Sequence, residues 1–221
     1  MEIVKKTLSN QIYEVLKLEI LRQEIQFGEK LVNRSLQERF GVSSSPIRDA
    51  INRLYSDGLV DDITNSGAKV ISFDLDFALE INDLLILIIA GAMRLSYKRS
   101  NLPDICKELQ DNIDKQTTYL GTDSYFEYDY KFHKTFIDHC NNQRLKNLYK
   151  KFHVLHEILV RNFHGSKNIE VQKQSIRMHE DIVKALENND INLAVAITQD
   201  HYDVAEKLFR KMFSSSIIEN K

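Results

Sequence analysis

The chain has 221 residues, of which 43% are hydrophobic and 28% charged. This composition is typical of a folded globular protein and excludes a disordered chain. Its 30 Lys and Arg and 32 Asp and Glu give a net charge of −2, so no overall basic excess points to nucleic acid. Two Pro and seven Gly are too few for the many turns of an all-β sandwich or barrel, and they favour a largely helical chain.

The features that report on location favour a cytoplasmic protein that does not enter a membrane. The two cysteines, Cys106 and Cys140, cannot form a disulfide framework. The first residues lack the apolar stretch of a signal peptide. The most apolar run, Leu84–Met93, has about half of the ~20 residues needed to span a bilayer, so it predicts a buried helix.

The first 73 residues consist of short elements separated by turns. A first helix is predicted to end before Gly28, with one apolar stripe formed by Ile12, Val15, Leu16 and Ile20. Asn33 is a predicted N-cap for a short helix that stops at Gly41. A serine N-cap followed by Pro46 at the first helical position predicts another helix, which ends at Gly58.

Two strands are predicted to complete this half. They cover residues 59–63 and 68–73, and the polar segment 64–67 forms the hairpin loop between them. A helix, a turn, a second helix and a hairpin are the layout of a winged helix-turn-helix domain, which we assign to residues 1–73.

In such a domain the N-terminal end of the second helix faces the major groove of DNA. Here that end carries Ser43, Ser44, Ser45 and Arg48. Hydroxyls can donate to phosphates, and an arginine can read guanine. Between Lys30 and Leu54 there are five basic and two acidic residues, a local balance of +3, and Arg34 and Arg53 within this segment are further candidate DNA contacts. The alternative interpretation is a solvated helix pair with ordinary surface charges.

A family resemblance rests on five segments: Tyr13–Leu21, Gly28–Leu31, Ser35–Ser43, Pro46–Leu54 and Gly58–Val60. In order and spacing, residues 8–73 closely resemble the GntR family of bacterial transcription regulators. The resemblance implies a homodimer bound to double-stranded, palindromic operator DNA. It implies DNA contacts from Arg34, the three serines, Arg48 and the wing around Gly67. The chain departs from many relatives at Ser44, where they carry Arg, and at Asp61 and Asp62, where they carry basic residues.

From residue 74 onward, apolar residues recur with the period of an α-helix. Pro103 and Asp190 are helix-start signals. The pattern predicts an all-helical bundle over residues 74–221, with helices near 76–99, 103–120, 123–140, 143–163, 168–188 and 191–213.

Three predicted helices each place one histidine on an apolar face. These residues are His133, His179 and His201, and Asp129 lies one turn before His133 on the same face. Buried polar groups need partners, and a single interior histidine usually finds one within the core. One divalent metal ion would satisfy all four side chains together. Imidazole and carboxylate suit Zn²⁺, Ni²⁺, Mn²⁺ and Fe²⁺ alike.

The other histidines give weaker signals. His156 lies on an apolar face and could line a pocket, support the ligands or be a fourth histidine ligand. His153 has Lys150 and Glu157 as helical neighbours, which predicts a solvent-exposed side chain.

This half resembles the FCD-type effector domain of the FadR branch of the GntR family. The resemblance rests on Asp129–His133, on His179–Ile182 and on His201. It implies that Asp129, His133, His179 and His201 hold a metal beside a cavity for an effector, often a carboxylate metabolite. Many relatives carry Arg and Glu where this chain has Leu85 and Ile89. Candidate substitutes in the effector pocket are Asn82, Arg94 and His156.

The sequence therefore predicts a DNA-binding transcription regulator, expected to be a repressor, controlled by a small-molecule effector, a divalent metal or both. The alternative is a metal-dependent hydrolase, because three histidines and one aspartate leave coordination positions for water. Near the ligand motifs no general base stands apart from the ligands themselves, so we expect no enzyme activity.

Overall fold

The computed structural model describes residues 7–164 and 168–216. The chain divides into two compact units, Met1–Phe73 and Asp74–Lys221. The mainly α architecture with a winged helix-turn-helix followed by a helical bundle is confirmed.

The first unit contains three helices and a small antiparallel sheet. Its elements are α1 (Leu8–Leu21), β1 (Lys30–Val32), α2 (Asn33–Phe40), α3 (Ser44–Ser56), β2 (Val60–Thr64) and β3 (Gly67–Val70). The strand order is β1-β3-β2, so β3 pairs with both neighbours. The core lies between α1, α3 and the sheet, and its fully buried side chains include Leu16, Ile20, Ile47, Leu54 and Leu59.

Two local predictions in this unit are wrong. Asn33 is the first residue of α2 rather than its N-cap, because its backbone N–H and its side-chain amide nitrogen both donate to the hairpin loop. Its backbone N–H donates to the Ser66 carbonyl at 2.8 Å, and its side-chain amide donates to the Asn65 carbonyl at 2.9 Å.

The N-cap of α3 is Ser43, so Pro46 occupies the third helical position instead of the first.

Gly67 is fixed by the close approach of two strands. It pairs with Val32 across β1 and β3 and has φ of 149°, a backbone conformation that favours glycine. A Cβ atom at this position would lie 1.8 Å from the Leu31 carbonyl oxygen. The residue is buried, and the exposed part of the wing is residues 62–66.

The second unit consists of helices in its described part. Their bounds are α4 (Leu75–Arg99), α5 (Leu102–Thr118), α6 (Asp123–His139), α7 (Gln143–His164), α8 (Ile169–Glu187) and α9 (Ile191–Ser216). Asp190 accepts the Leu193 N–H at 2.9 Å, which confirms it as a helix-start residue. Helix α8 packs against α5 and α9, and α4 packs against α6, α7 and α9. Within the described ranges, no helix combines the length and apolar character required to cross a membrane.

The contact at Gly67 yields a test of the wing. Gly67→Ala should lower the free energy of unfolding of the first unit by at least about 2 kcal/mol, because β1 and β3 must separate to admit the methyl group. Gly41→Ala is the matched control. Gly41 also has positive φ, but no atom lies within 4 Å of its Cβ position, so only the backbone cost of about 1 kcal/mol applies. Urea unfolding of both variants measures the difference, and equal losses would contradict the close-approach argument.

Candidate functional site

Three helices of the second unit bring the four predicted metal ligands together. Helix α6 supplies Asp129 and His133 one turn apart, α8 supplies His179, and α9 supplies His201. One ligand atom from each side chain lies within 4.8 Å of the other three. Ligand atoms about 2.0–2.2 Å from a shared ion lie up to about 4.4 Å from one another. The cluster therefore has nearly the dimensions of a coordination sphere.

Burial determines the protonation of this cluster. His179 is fully buried and His133 is 5% exposed. Burial lowers the pKa of both imidazoles well below its usual value, assisted by the neighbouring histidines. Both rings are thus neutral at pH 7, the form that binds a metal. Burial also raises the pKa of Asp129 to about 7, because its carboxylate is largely removed from water, with 22% of the side chain still exposed. A cation beside Asp129 would lower the free-energy cost of burying its charged carboxylate.

Two buried nitrogen atoms of the cluster have no hydrogen-bond partner among the described residues. They are His133 Nδ1 and His179 Nε2. His179 Nε2 lies 4.0 Å from Asp129 Oδ1, which is beyond hydrogen-bond distance. Buried polar atoms without partners are rare because each carries a desolvation cost. The space between these atoms suits an ion bound to both.

Gln116 on α5 orients His179. It is fully buried, and its amide nitrogen donates to the Tyr128 carbonyl at 3.1 Å. Its Oε1 is 2.9 Å from His179 Nδ1, so the oxygen accepts a hydrogen bond from Nδ1–H. The lone pair of His179 is then on Nε2, the atom that faces Asp129. Gln116 is not predicted from the sequence, although a glutamine one turn after Asn112 and Ile113 on a helix of apolar periodicity is a detectable signal.

Asp129, His133 and His201 also line a cavity in the second unit. His156 also lines this cavity. Asn82 lies behind His156, with its Oδ1 3.2 Å from His156 Nε2 and its amide donating to the Tyr202 carbonyl at 3.2 Å. Arg94 does not reach this cavity, because it is exposed on α4 and its guanidinium donates to Asn192 Oδ1 at 2.8 Å.

The prediction that His153 is solvent-exposed is wrong. Its ring is half-buried and lines the cavity. It stacks with Tyr130 at a centroid distance of 4.5 Å and with Tyr149 at 5.2 Å. The two tyrosines are themselves nearly parallel, at 3°. This arrangement arises from contact with α6. It cannot be predicted from the residues that neighbour His153 on its own helix.

In the first unit, a groove lies between α3 and the hairpin. Arg48, Asn52, Asn65 and Gly67 contribute to its lining. Ser43 and Ser45 are exposed at the start of α3, and Ser44 is half-buried. Asn52 is exposed one turn after Arg48, a position that the sequence analysis missed although the i+4 spacing places the two side chains on one face.

The other two predicted DNA-contacting arginines differ in their surroundings. Arg34 has a side chain that is 87% exposed, with an ion pair to Glu38 at 3.1 Å, so water competes strongly for it. Arg53 lies with its guanidinium 4.0 Å from the centre of the Tyr13 ring and donates to Asn10 of α1. Arg53 therefore joins α3 to α1.

Comparison with known proteins identifies both units. Residues 80–204 match the FCD domain family, and residues 8–70 match the gntR family of bacterial regulatory proteins. The chain is a GntR-family transcription regulator with a C-terminal FCD domain. It is 26% identical over 181 residues to the uncharacterized HTH-type transcriptional regulator YdhC of Bacillus subtilis (strain 168), covering 79% of this chain and 80% of YdhC.

Solved structures share the fold of this GntR-family chain. E. coli McbR/YncC matches with a TM-score of 0.78 and 18% identity, covering 95% of this chain and 100% of that one. A putative transcriptional regulator GntR from Rhodococcus sp. RHA1 matches with a TM-score of 0.75 and 15% identity, covering 92% and 97%. The family consists of DNA-binding regulators with an effector-binding domain, so the chain is not an enzyme and the hydrolase alternative is not supported.

The role of Gln116 can be measured through metal affinity. Gln116→Met removes the acceptor for His179 Nδ1–H and should weaken Zn²⁺ binding by about 10–100-fold, because the imidazole loses its fixed tautomer. Gln116→Glu keeps an acceptor and should restore much of the affinity. Competition with a chromophoric chelator gives the dissociation constants.

The control for this experiment is His139→Ala. His139 is on α6 with the ligands, but its Nε2 contacts Glu108 Oε2 at 2.9 Å outside the cluster. Its loss should leave Zn²⁺ affinity unchanged. Wild-type affinity in Gln116→Met would show that Gln116 has no part in the site.

Proposed function

We propose that the protein is a homodimeric repressor that binds a palindromic operator and responds to an effector bound beside a divalent ion. Asp129, His133, His179 and His201 would hold the ion. The observation that carries this proposal is the convergence of four potential ligands from three helices, including two buried nitrogens that lack partners in the part of the chain that the structure describes. The donor set of three imidazoles and one carboxylate fits Zn²⁺, Ni²⁺, Mn²⁺ or Fe²⁺.

The ion would supply a positively charged coordination position at the inner end of the cavity, where an effector oxygen can bind. The chain's own residues prepare this position. Gln116 holds His179 in the metal-binding tautomer, and burial keeps His133 and His179 neutral. Since the unfolded chain cannot present the four ligands together, the ion would also stabilise the folded bundle.

An effector would regulate DNA binding by favouring one of two geometries of the dimer. It can shift that equilibrium only as far as its affinity for the two geometries differs. Helices α6, α8 and α9 would all respond when an effector binds beside the ion, because each contributes at least one side chain to the cluster.

Within the first unit, we propose that Arg48 reads a base edge and that Arg34 and the three serines contact phosphates. Arg48 is exposed in the groove between α3 and the wing. Arg48→Ala should reduce affinity for the specific operator by ~1–3 kcal/mol and relax the preference at one base pair of each half-site. Binding to specific and random DNA duplexes, measured by fluorescence anisotropy, provides the comparison.

The matched control is Arg34→Ala. As a phosphate contact, Arg34 should contribute equally on both duplexes, and its loss should reduce the slope of log affinity against log salt by about 1. Equal losses on both duplexes for Arg48→Ala would reassign Arg48 to phosphate contact.

We propose that the homodimer forms through α4. Leu87 lies within the apolar run Leu84–Met93, yet its side chain is 72% exposed, the highest value among large hydrophobic residues in the described ranges. Leu87→Glu should therefore convert a dimer of twice 25.8 kDa into monomers. Leu193→Glu, at a 49% exposed position of α9, should leave the dimer intact. Light scattering at micromolar concentration distinguishes the two, and a dimeric Leu87→Glu protein would place the interface elsewhere.

A further inference from the structure

The charges around the cavity limit which effector it can hold. Among its described lining residues there is no lysine or arginine, and Asp129 and Glu157 are acidic. Arg161 is close to Glu157 in the sequence, but its guanidinium is 2.8 Å from the Glu157 carboxylate and stacks 4.8 Å from the centre of the Phe126 ring. That cation is already neutralised by an acid of the cavity.

A divalent ion at the cluster leaves one positive charge after Asp129 is counted. One carboxylate of a ligand would balance it. A second carboxylate would find no lysine or arginine among the described lining residues to balance its charge. Burying a charge without a partner is strongly unfavourable. The electrostatics therefore favour a single negative charge on the ligand.

The remainder of the cavity is suited to an apolar body. Leu85, Phe126, Val160, Val171, Met178 and Val204 contribute apolar lining. Tyr130, Tyr149 and His153 line it with three nearly parallel rings, whose centroids are 4.5–6.0 Å apart. Aromatic groups pack favourably against such rings in offset-stacked or edge-to-face geometry.

We infer that the effector is a monocarboxylate with an aromatic body, its carboxylate directed to the metal cluster and its ring among the apolar and tyrosine side chains. This inference rests on the proposed metal-dependent function, since the ion provides the charge that the carboxylate requires. It excludes dicarboxylates and tricarboxylates as preferred ligands.

Matched ligands test the inference on the full-length, Zn²⁺-loaded protein. Benzoate and terephthalate share a ring and differ by one carboxylate, and phenylacetate and 4-carboxyphenylacetate form a second pair. In isothermal titration calorimetry, at least one monocarboxylate should bind 10-fold or more tightly than its dicarboxylate partner. Equal or tighter binding of both dicarboxylates, or no binding of either monocarboxylate, would overturn the inference.

A charge-introducing variant tests the electrostatic reason. Met178 is half-buried in the cavity lining, so a lysine of similar length can place its ammonium there. Met178→Lys should reverse the preference and bind terephthalate more tightly than benzoate. Met178→Gln is the uncharged control and should not reverse it. An unchanged preference in a folded Met178→Lys protein would contradict the charge argument.

Zn²⁺ titration without ligand distinguishes failure of the proposed metal site from failure of the proposed ligand class. If Zn²⁺ does not bind, the metal-dependent function fails, and this inference fails with it. If Zn²⁺ binds at one equivalent but the dicarboxylates are preferred, only the ligand class is overturned.

Discussion

Four polar side chains placed on apolar helix faces constrain the second unit more than any other feature. Asp129, His133, His179 and His201 come from α6, α8 and α9, and their ligand atoms meet within 4.8 Å. The hydrophobic effect alone would favour apolar side chains at these positions. These side chains converge instead, and His133 Nδ1 and His179 Nε2 have no hydrogen-bond partner among the described residues. Binding of the proposed ion at these side chains would therefore be coupled to folding of the bundle.

The surroundings of the cluster prepare it for a cation. Phe132 stacks on His179 with a centroid distance of 3.9 Å, which limits rotation of the ring. Gln116 selects the tautomer of the same ring through the hydrogen bond at Nδ1. Ser175 donates to Asp129 Oδ1 at 3.4 Å, and this hydrogen bond partly opposes the effect of burial on the carboxyl pKa. The same carboxylate lines the cavity, so a ligand entering it would directly contact the proposed metal site.

Much of this arrangement could be predicted from periodicity. The six helices of the second unit begin and end within three residues of the predicted bounds, since long apolar stripes with few glycines leave little ambiguity. The i−4 spacing of Asp129 and His133 placed both on one helical face. The polar environment of His179 depends on Gln116, which is 63 residues away, and no local pattern encodes that pairing.

The wrong and missing predictions have one physical cause, which is contact with residues distant in the sequence. His153 was predicted to be exposed from its own helix, but Tyr130 of α6 covers it. Asn33 has the chemistry of an N-cap, but its amide binds the hairpin loop 32 residues later. Strand β1 has only three residues, too few for an alternating pattern to be recognised, and it exists because β3 pairs with it. Each of these residues takes its conformation from a partner distant in the chain.

Metal content together with thermal stability tests the central claim most directly. Full-length protein is stripped with a chelator, reloaded with Zn²⁺ and analysed for bound metal and melting temperature. The account predicts one Zn²⁺ per chain and a higher melting temperature in wild type and His139→Ala, with both effects lost in His201→Ala. A wild-type protein that binds no Zn²⁺, Ni²⁺, Mn²⁺ or Fe²⁺ and melts at the same temperature with and without them would contradict the metal centre.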